Sequence, residues 1–189
     1  MSSASNKRVR ASAQGVDLHI LFICTGNICR SPMAERLAIA YAAHRALPSF
    51  TASSAGVRAV VGQPIHPVTS RVLQRLGGDP SDFEARQLTP RIASSADLIL
   101  TMTRAQRDAV LELAPRQLSR TFTLSGAARL VVDFDARNID DLAALRPQLR
   151  TSELLDIPDP IGRAEEFHAT VGSQIAEILP PILDLCLSE

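Results

Sequence analysis

Four short strand candidates, two of them apolar runs and each followed by a helical stretch, constrain this chain more than any other feature. The first, DLHILFIC at residues 17–24, is apolar on both faces and reads as a strand covered from both sides. The others lie at 50–54, 97–102 and 121–124. After the first, Ser31-Pro32 is expected to open a helix, with Ser31 as cap, Pro32 at the first helical position and Glu35 in the first turn. Met33, Leu37, Ala40 and Tyr41 continue it at helical spacing until Pro48. A second helix runs from about Val68 to Leu76, ended by Gly77-Gly78. Thr103 is expected to cap a third, which Pro115 stops, and a fourth starts near Ser125. A long terminal helix spans about Ala164 to Leu187, with Pro180-Pro181 expected to bend or restart it. Strand followed by helix, repeated, predicts an α/β fold: a single domain whose four-stranded parallel sheet carries helices on both faces.

Within that plan residues 1–16 read as a disordered, polar tail and 17–189 as the folded domain. The segment at about 131–155 is charged and Leu-rich with no partner in the scheme, and is expected to be a partly helical surface insertion. Lys plus Arg balances Asp plus Glu at twenty each, so no global field recruits nucleic acid or an anionic membrane. Aromatics make up only 4%, too few for a base-stacking platform. The start MSSASNKRVRASAQG lacks the apolar core of a signal peptide, and no apolar run approaches a bilayer span, so a cytoplasmic location is expected. Three cysteines, Cys24, Cys29 and Cys186, are an odd and sparse set, unlike a secreted disulfide framework. His19, His44, His66 and His168 stand singly, without ligand spacing in the sequence, so no metal site is expected.

The chemistry concentrates where the first strand meets the first helix, in Cys24-Thr25-Gly26-Asn27-Ile28-Cys29-Arg30-Ser31. Ligands of open α/β sheets bind at such turns. A loop of this length can converge its backbone N–H groups into an anion cradle, which the following helix N-terminus reinforces. Arg30 adds a planar fork able to bond two phosphate oxygens. A thiol at the centre of such a cradle is expected to ionise readily, because cations and helix N-termini favour the thiolate. The same device that binds phosphate therefore prepares Cys24 as nucleophile. The loop lacks the Lys and second Gly of a Walker A motif, and the glycine pattern of a dinucleotide site.

This stretch resembles the C-x5-R-S loop of the low-molecular-weight protein tyrosine phosphatases, and the likeness continues into Pro32-Met33-Ala34-Glu35. Weaker co-linear likenesses are Ser54-Ala55-Gly56, Ala85-Arg86-Gln87-Leu88-Thr89, Ala96-Asp97-Leu98-Ile99 and Asp159-Pro160. The resemblance implies hydrolysis of phosphotyrosine through a cysteinyl-phosphate, with Cys24 as nucleophile, Arg30 on the phosphate and Asp159 as general acid. Asp156 is the weaker choice for the acid, because Ile157 follows it where Pro is expected. Thr25, Gly26, Asn27, Ile28, Cys29, Arg30 and Ser31 are implied to hold phosphate. Asn27 is implied to brace the loop through Ser31 and Ser54, or it serves only as a turn residue. Cys29 is implied to form a reversible disulfide with Cys24, or it is a small buried residue at the loop's base. No cofactor is expected, and the partner is a phosphorylated protein met by a monomer or weak dimer.

Three departures leave the substrate open. Ile161 and Gly162 follow Pro160, and Val57 to Val61 contains no aromatic, where relatives wall a slot for the phosphotyrosine ring. Phe83 stands where many relatives have a loop-bracing histidine. Against these, Ile28 occupies the position where related arginine phosphatases carry Thr. Phosphotyrosine hydrolysis is the first choice. Phosphoarginine hydrolysis or arsenate reduction on the same scaffold, or a silent phosphate-binding module, are the alternatives.

Overall fold

A computed structural model describes residues 18–46, 50–150 and 155–186; the tail at 1–16 lies outside them. Four strands form one sheet: β1 (Leu18–Cys24), β2 (Phe50–Gly56), β3 (Leu98–Thr101) and β4 (Thr121–Thr123). They pair in the order β2-β1-β3-β4, every pair parallel, so β1 is buried between two neighbours. Ile20, Leu21, Phe22 and Ile23 have no exposed surface, the burial its continuous apolar run required. The chain leaves β1 for β2 on one side and later returns to β3 on the other, which places a topological switch point at the carboxyl end of β1.

The alternation of β1 side chains divides the core. Ile20, Phe22 and Cys24 face the larger layer, made by α1 (Arg30–His44), α2 (Pro67–Arg75), α5 (Leu124–Phe134) and α7 (Glu165–Cys186). Leu21 and Ile23 face the smaller layer, where α3 (Pro90–Ser94) and α4 (Arg104–Leu113) contribute Ala93 and Val110. Helices thus cover both faces, as the repeating strand-helix order requires.

Three details differ from the sequence-based expectation. Helix α1 begins at Arg30 with Cys29 at the cap position, and Ser31 lies inside the first turn, so its hydroxyl caps nothing. Pro32 still fits, because the first helical N–H groups have no intrahelical partner. With the helix starting at Arg30, Glu35 falls beyond the first turn, and it is buried. Helix α7 runs through Pro180 and Pro181 as one element, without a restart. Capping by Thr103 is present and forms a full box with Gln106.

Residues 131–155 are not a bare loop. Helix α5 takes in residues to Phe134 and α6 (Ile139–Leu145) follows, capped by Asn138. Ala136 and Leu142 are buried in the main core, which anchors the segment. Residues 151–154 lie outside the described residues.

Candidate active site

The turn from β1 to α1 curls around the sulfur of Cys24. Asn27 adopts a left-handed backbone (φ 57°), a conformation that asparagine tolerates better than most residues. That twist aims the Asn27 amide at Cys24 Sγ, 3.2 Å away. Ser31 Oγ lies 2.9 Å from the same sulfur. Both partners come from within the loop, and Cys24 itself is buried at 2% exposure.

Buried hydrogen bonds hold the loop from behind. Asn27 Nδ2 donates to Ser31 Oγ at 3.0 Å and to Ser54 Oγ at 2.8 Å, the two partners that the resemblance implied. Ser54 in turn donates to Glu35 Oε2 at 2.6 Å. The Asn27 side-chain oxygen accepts from the Arg86 amide at 2.8 Å, and Arg86 Nε donates to the Ser54 carbonyl at 2.7 Å. Every polar atom of the Asn27 side chain is therefore matched, as a fully buried amide requires. Burial holds the Glu35 carboxyl above the ordinary carboxylate range, opposed by the Ser54 bond and the nearby Arg36 and Arg86 charges.

Backbone bonds fasten the loop's outer side to the chain that follows β2. Val57, Arg58, Val60 and His66 donate their amides to the carbonyls of Cys24, Thr25, Gly26 and Ile28. This close approach needs Gly56, where an added Cβ would fall 2.5 Å from the Thr25 carbonyl. Thr25 is also held from its side chain, by Gln106 Nε2 at 3.0 Å.

Arg30 is buried at 4% exposure and its fork points along the cleft. Nη1 donates to the Ile157 carbonyl at 3.0 Å, and Nη2 meets Asp159 Oδ2 at 2.6 Å. The Ile157 amide is bonded to the Met102 carbonyl beyond β3, which fixes the Asp159 segment over the switch point. Asp156 turns the other way, accepting from the Arg104 amide at 2.9 Å, so only Asp159 joins the cleft. The opening has a volume of about 280 Å³, and its rim is Ile28, Arg58, Val60 and Ile161 with no aromatic side chain.

The two loop cysteines both line the cleft and are both buried, but they differ in their partners. Cys24 opens onto the cleft and collects donors. Burial pushes the Cys29 thiol up to about 12, partly offset by a hydrogen bond with Thr69. The side chain of Cys186 lies outside the described residues.

A family model, low molecular weight phosphotyrosine protein phosphatase, matches residues 19–183. The chain belongs to that family. Among similar phosphatases is a probable low molecular weight protein-tyrosine-phosphatase, EpsP, of Ralstonia nicotianae. It is 40% identical over 105 residues, which span 56% of this chain and 69% of that protein. A solved low molecular weight protein tyrosine phosphatase from T. tengcongensis is 27% identical at TM-score 0.70, covering 87% of this chain and 97% of its own. The YwlE arginine phosphatase from Geobacillus stearothermophilus is 27% identical at TM-score 0.68, covering 88% and 90%. The chain is accordingly an enzyme of the phosphoric monoester hydrolase class. No helix among the described residues is long and apolar enough to cross a membrane.

Two parts of this phosphatase were not evident from sequence. Phe83, found where many family members have a bracing histidine, sits against Arg36 (5.6 Å from the guanidinium carbon to the ring centroid), and the buried network ends on Glu35 instead. Glu35 lies in the stretch Pro32-Met33-Ala34-Glu35 that carried the resemblance, yet its role shows only once β2 pairs with β1. The second is beneath the loop: Cys29, His66 and His168, distant in sequence, offer ligand-type atoms all within 4.8 Å of one another.

Proposed function

We propose that the chain hydrolyses phosphotyrosine in proteins by way of a phosphocysteine on Cys24. The observation that carries this reading is the convergence on one cleft of a buried sulfur with two loop donors, a buried guanidinium and a half-exposed carboxyl paired to it. The Asn27 amide and Ser31 hydroxyl stabilise negative charge on Cys24 Sγ. Arg30 binds the phosphoryl oxygens and the helix α1 N-terminus adds positive potential. Cys24 Sγ attacks phosphorus as the bond to the tyrosyl oxygen breaks, and Asp159 passes its proton to that oxygen. The Asp159 carboxylate then takes a proton from water, which attacks phosphorus and releases the thiolate and inorganic phosphate.

Substrate choice rests on the rim. Ile28, Val60 and Ile161 offer apolar contact to an aromatic ring, and exposed Arg58 favours an anionic ester over a cationic guanidino group. Phosphoarginine is the rival, favoured by the likeness to YwlE.

The test is turnover of p-nitrophenyl phosphate, with trapping of a phosphocysteine by rapid quench and mass spectrometry. Phosphate on Cys24 is expected, and label on any other residue rejects the mechanism. Release rates from matched phosphotyrosyl and phosphoarginyl peptides then decide the substrate. Faster release from the arginyl peptide overturns the choice made here.

A further inference from the structure

At the base of the phosphate cradle, where Cys29 borders the cleft, three elements meet with two histidines that phosphoryl transfer does not use. Cys29 caps α1, His66 caps α2, and His168 lies in the first turn of α7. Cys29 and His168 are buried at 3% and 1% exposure, and His66 is half-buried. The two imidazoles stack with centroids 5.3 Å apart and planes inclined by 18°. One nitrogen on each ring, Nδ1 of His66 and Nε2 of His168, is buried without a hydrogen-bond partner among the described residues. Buried nitrogens left unmatched in pairs call for an explanation.

We infer that Cys29, His66 and His168 form a binding site for a zinc-like divalent cation beneath the catalytic loop. One thiol and two imidazoles are the donor set that zinc favours, and the absence of carboxylates from the cluster disfavours magnesium or calcium. Tetrahedral zinc separates its ligand atoms by about 3.3–3.8 Å, so a contraction of about 1 Å from the present spread completes the site. His66, at the end of a loop, supplies that movement. His168 is already oriented, with Nδ1 2.9 Å from Thr69 Oγ1. Nε2 is the nitrogen left for the cation, and Thr69 Oγ1 faces the other, the usual second support of a metal-bound histidine. The cation takes the place of the thiol proton, so each one bound releases one proton to water. Three protein ligands leave the fourth position open to water.

The test uses cobalt(II) as a spectroscopic stand-in for zinc, without oxygen and with a non-thiol reductant. The protein is the full chain carrying Cys24→Ser and Cys186→Ser, so that Cys29 is the one remaining thiol. A 1:1 complex with a sulfur-to-cobalt charge-transfer band, discharged by stoichiometric zinc, is expected. His66→Ala and His168→Gln should each weaken binding at least about tenfold in this background. Circular dichroism establishes that each variant is folded, and the half-buried position of His66 keeps the decision independent of the deeper His168. No charge-transfer band in the folded single-thiol protein at millimolar cobalt overturns the assignment. A folded His66→Ala protein that binds as tightly as its parent overturns it equally.

Discussion

The back of the catalytic loop and its front obey different rules. Behind it, Asn27, Ser31, Ser54 and Glu35 are buried and joined by hydrogen bonds of 2.6–3.0 Å. In front, Val60 and Ile161 stand 47% and 48% exposed and Asp159 is half-exposed. A buried polar network tolerates little change, since each orphaned group costs free energy, whereas an exposed rim can vary without unfolding anything. The back therefore fixes the shape of the loop, while the front carries Asp159 and the rim side chains that are free to vary with substrate. That division lets the chain keep C-x5-R-S and Asp159 on a rim that carries no aromatic side chain among the described residues.

Substitutions on the two sides test that division. The largest effect belongs to the sulfur that both sides serve: Cys24→Ser should lower kcat at least about 10⁴-fold in a steady-state assay. Asp159→Asn, on the front, should lower kcat about 10²- to 10³-fold, with inorganic phosphate inhibiting the variant nearly as well as the parent. Asn27→Ala breaks the back. It leaves buried groups unmatched and puts alanine in a left-handed conformation, so urea unfolding should show a loss of about 2–4 kcal/mol. If that variant keeps full stability, the back is no more constrained than the front. Val60→Ala and Ile161→Ala should move KM by less than about tenfold and leave kcat and Tm nearly unchanged. A collapse of kcat in either would put catalysis, not selection, on the rim.

The smallest effect is a pH dependence. The Glu35 carboxyl titrates above its ordinary value near 4.5 because of burial. The folded protein thus holds that proton more tightly than the unfolded chain. Its contribution to stability is complete below the unfolded value and is lost as pH rises through the folded one. Glu35→Gln keeps an oxygen to accept from Ser54 and has no such titration. The fall in Tm as pH rises above the ordinary carboxylate value near 4.5 should shrink in the variant, as scanning calorimetry will show.

Much of this was legible from the chain. Strand β1 stood out because both its faces are buried, and the loop because its residue types make sense only around an anion. Ser54 and Asn27 were named through family likeness, and the fold sets them 2.8 Å apart. What stayed hidden depended on contacts that sequence periodicity does not carry. Helix α3, with only Pro90–Ser94, is too short to show a helical repeat, although Thr89 caps it. Ser31 looked like a helix cap by type, but tertiary contact turned its hydroxyl to Cys24. Glu35 looked like a first-turn acid until β2 brought Ser54 against it. Cys29, His66 and His168 show no ligand spacing along the chain because α1, α2 and α7 supply one each.

The ladder between the catalytic loop and residues 57–66 limits how this enzyme can be retuned. Rim and floor share four main-chain bonds and a contact that tolerates no methyl at Gly56, so grafting a longer specificity loop there would drag the nucleophile out of line. New selectivity is better sought by exchanging side chains on the existing backbone, or by altering the far bank at Ile161, which the ladder does not hold.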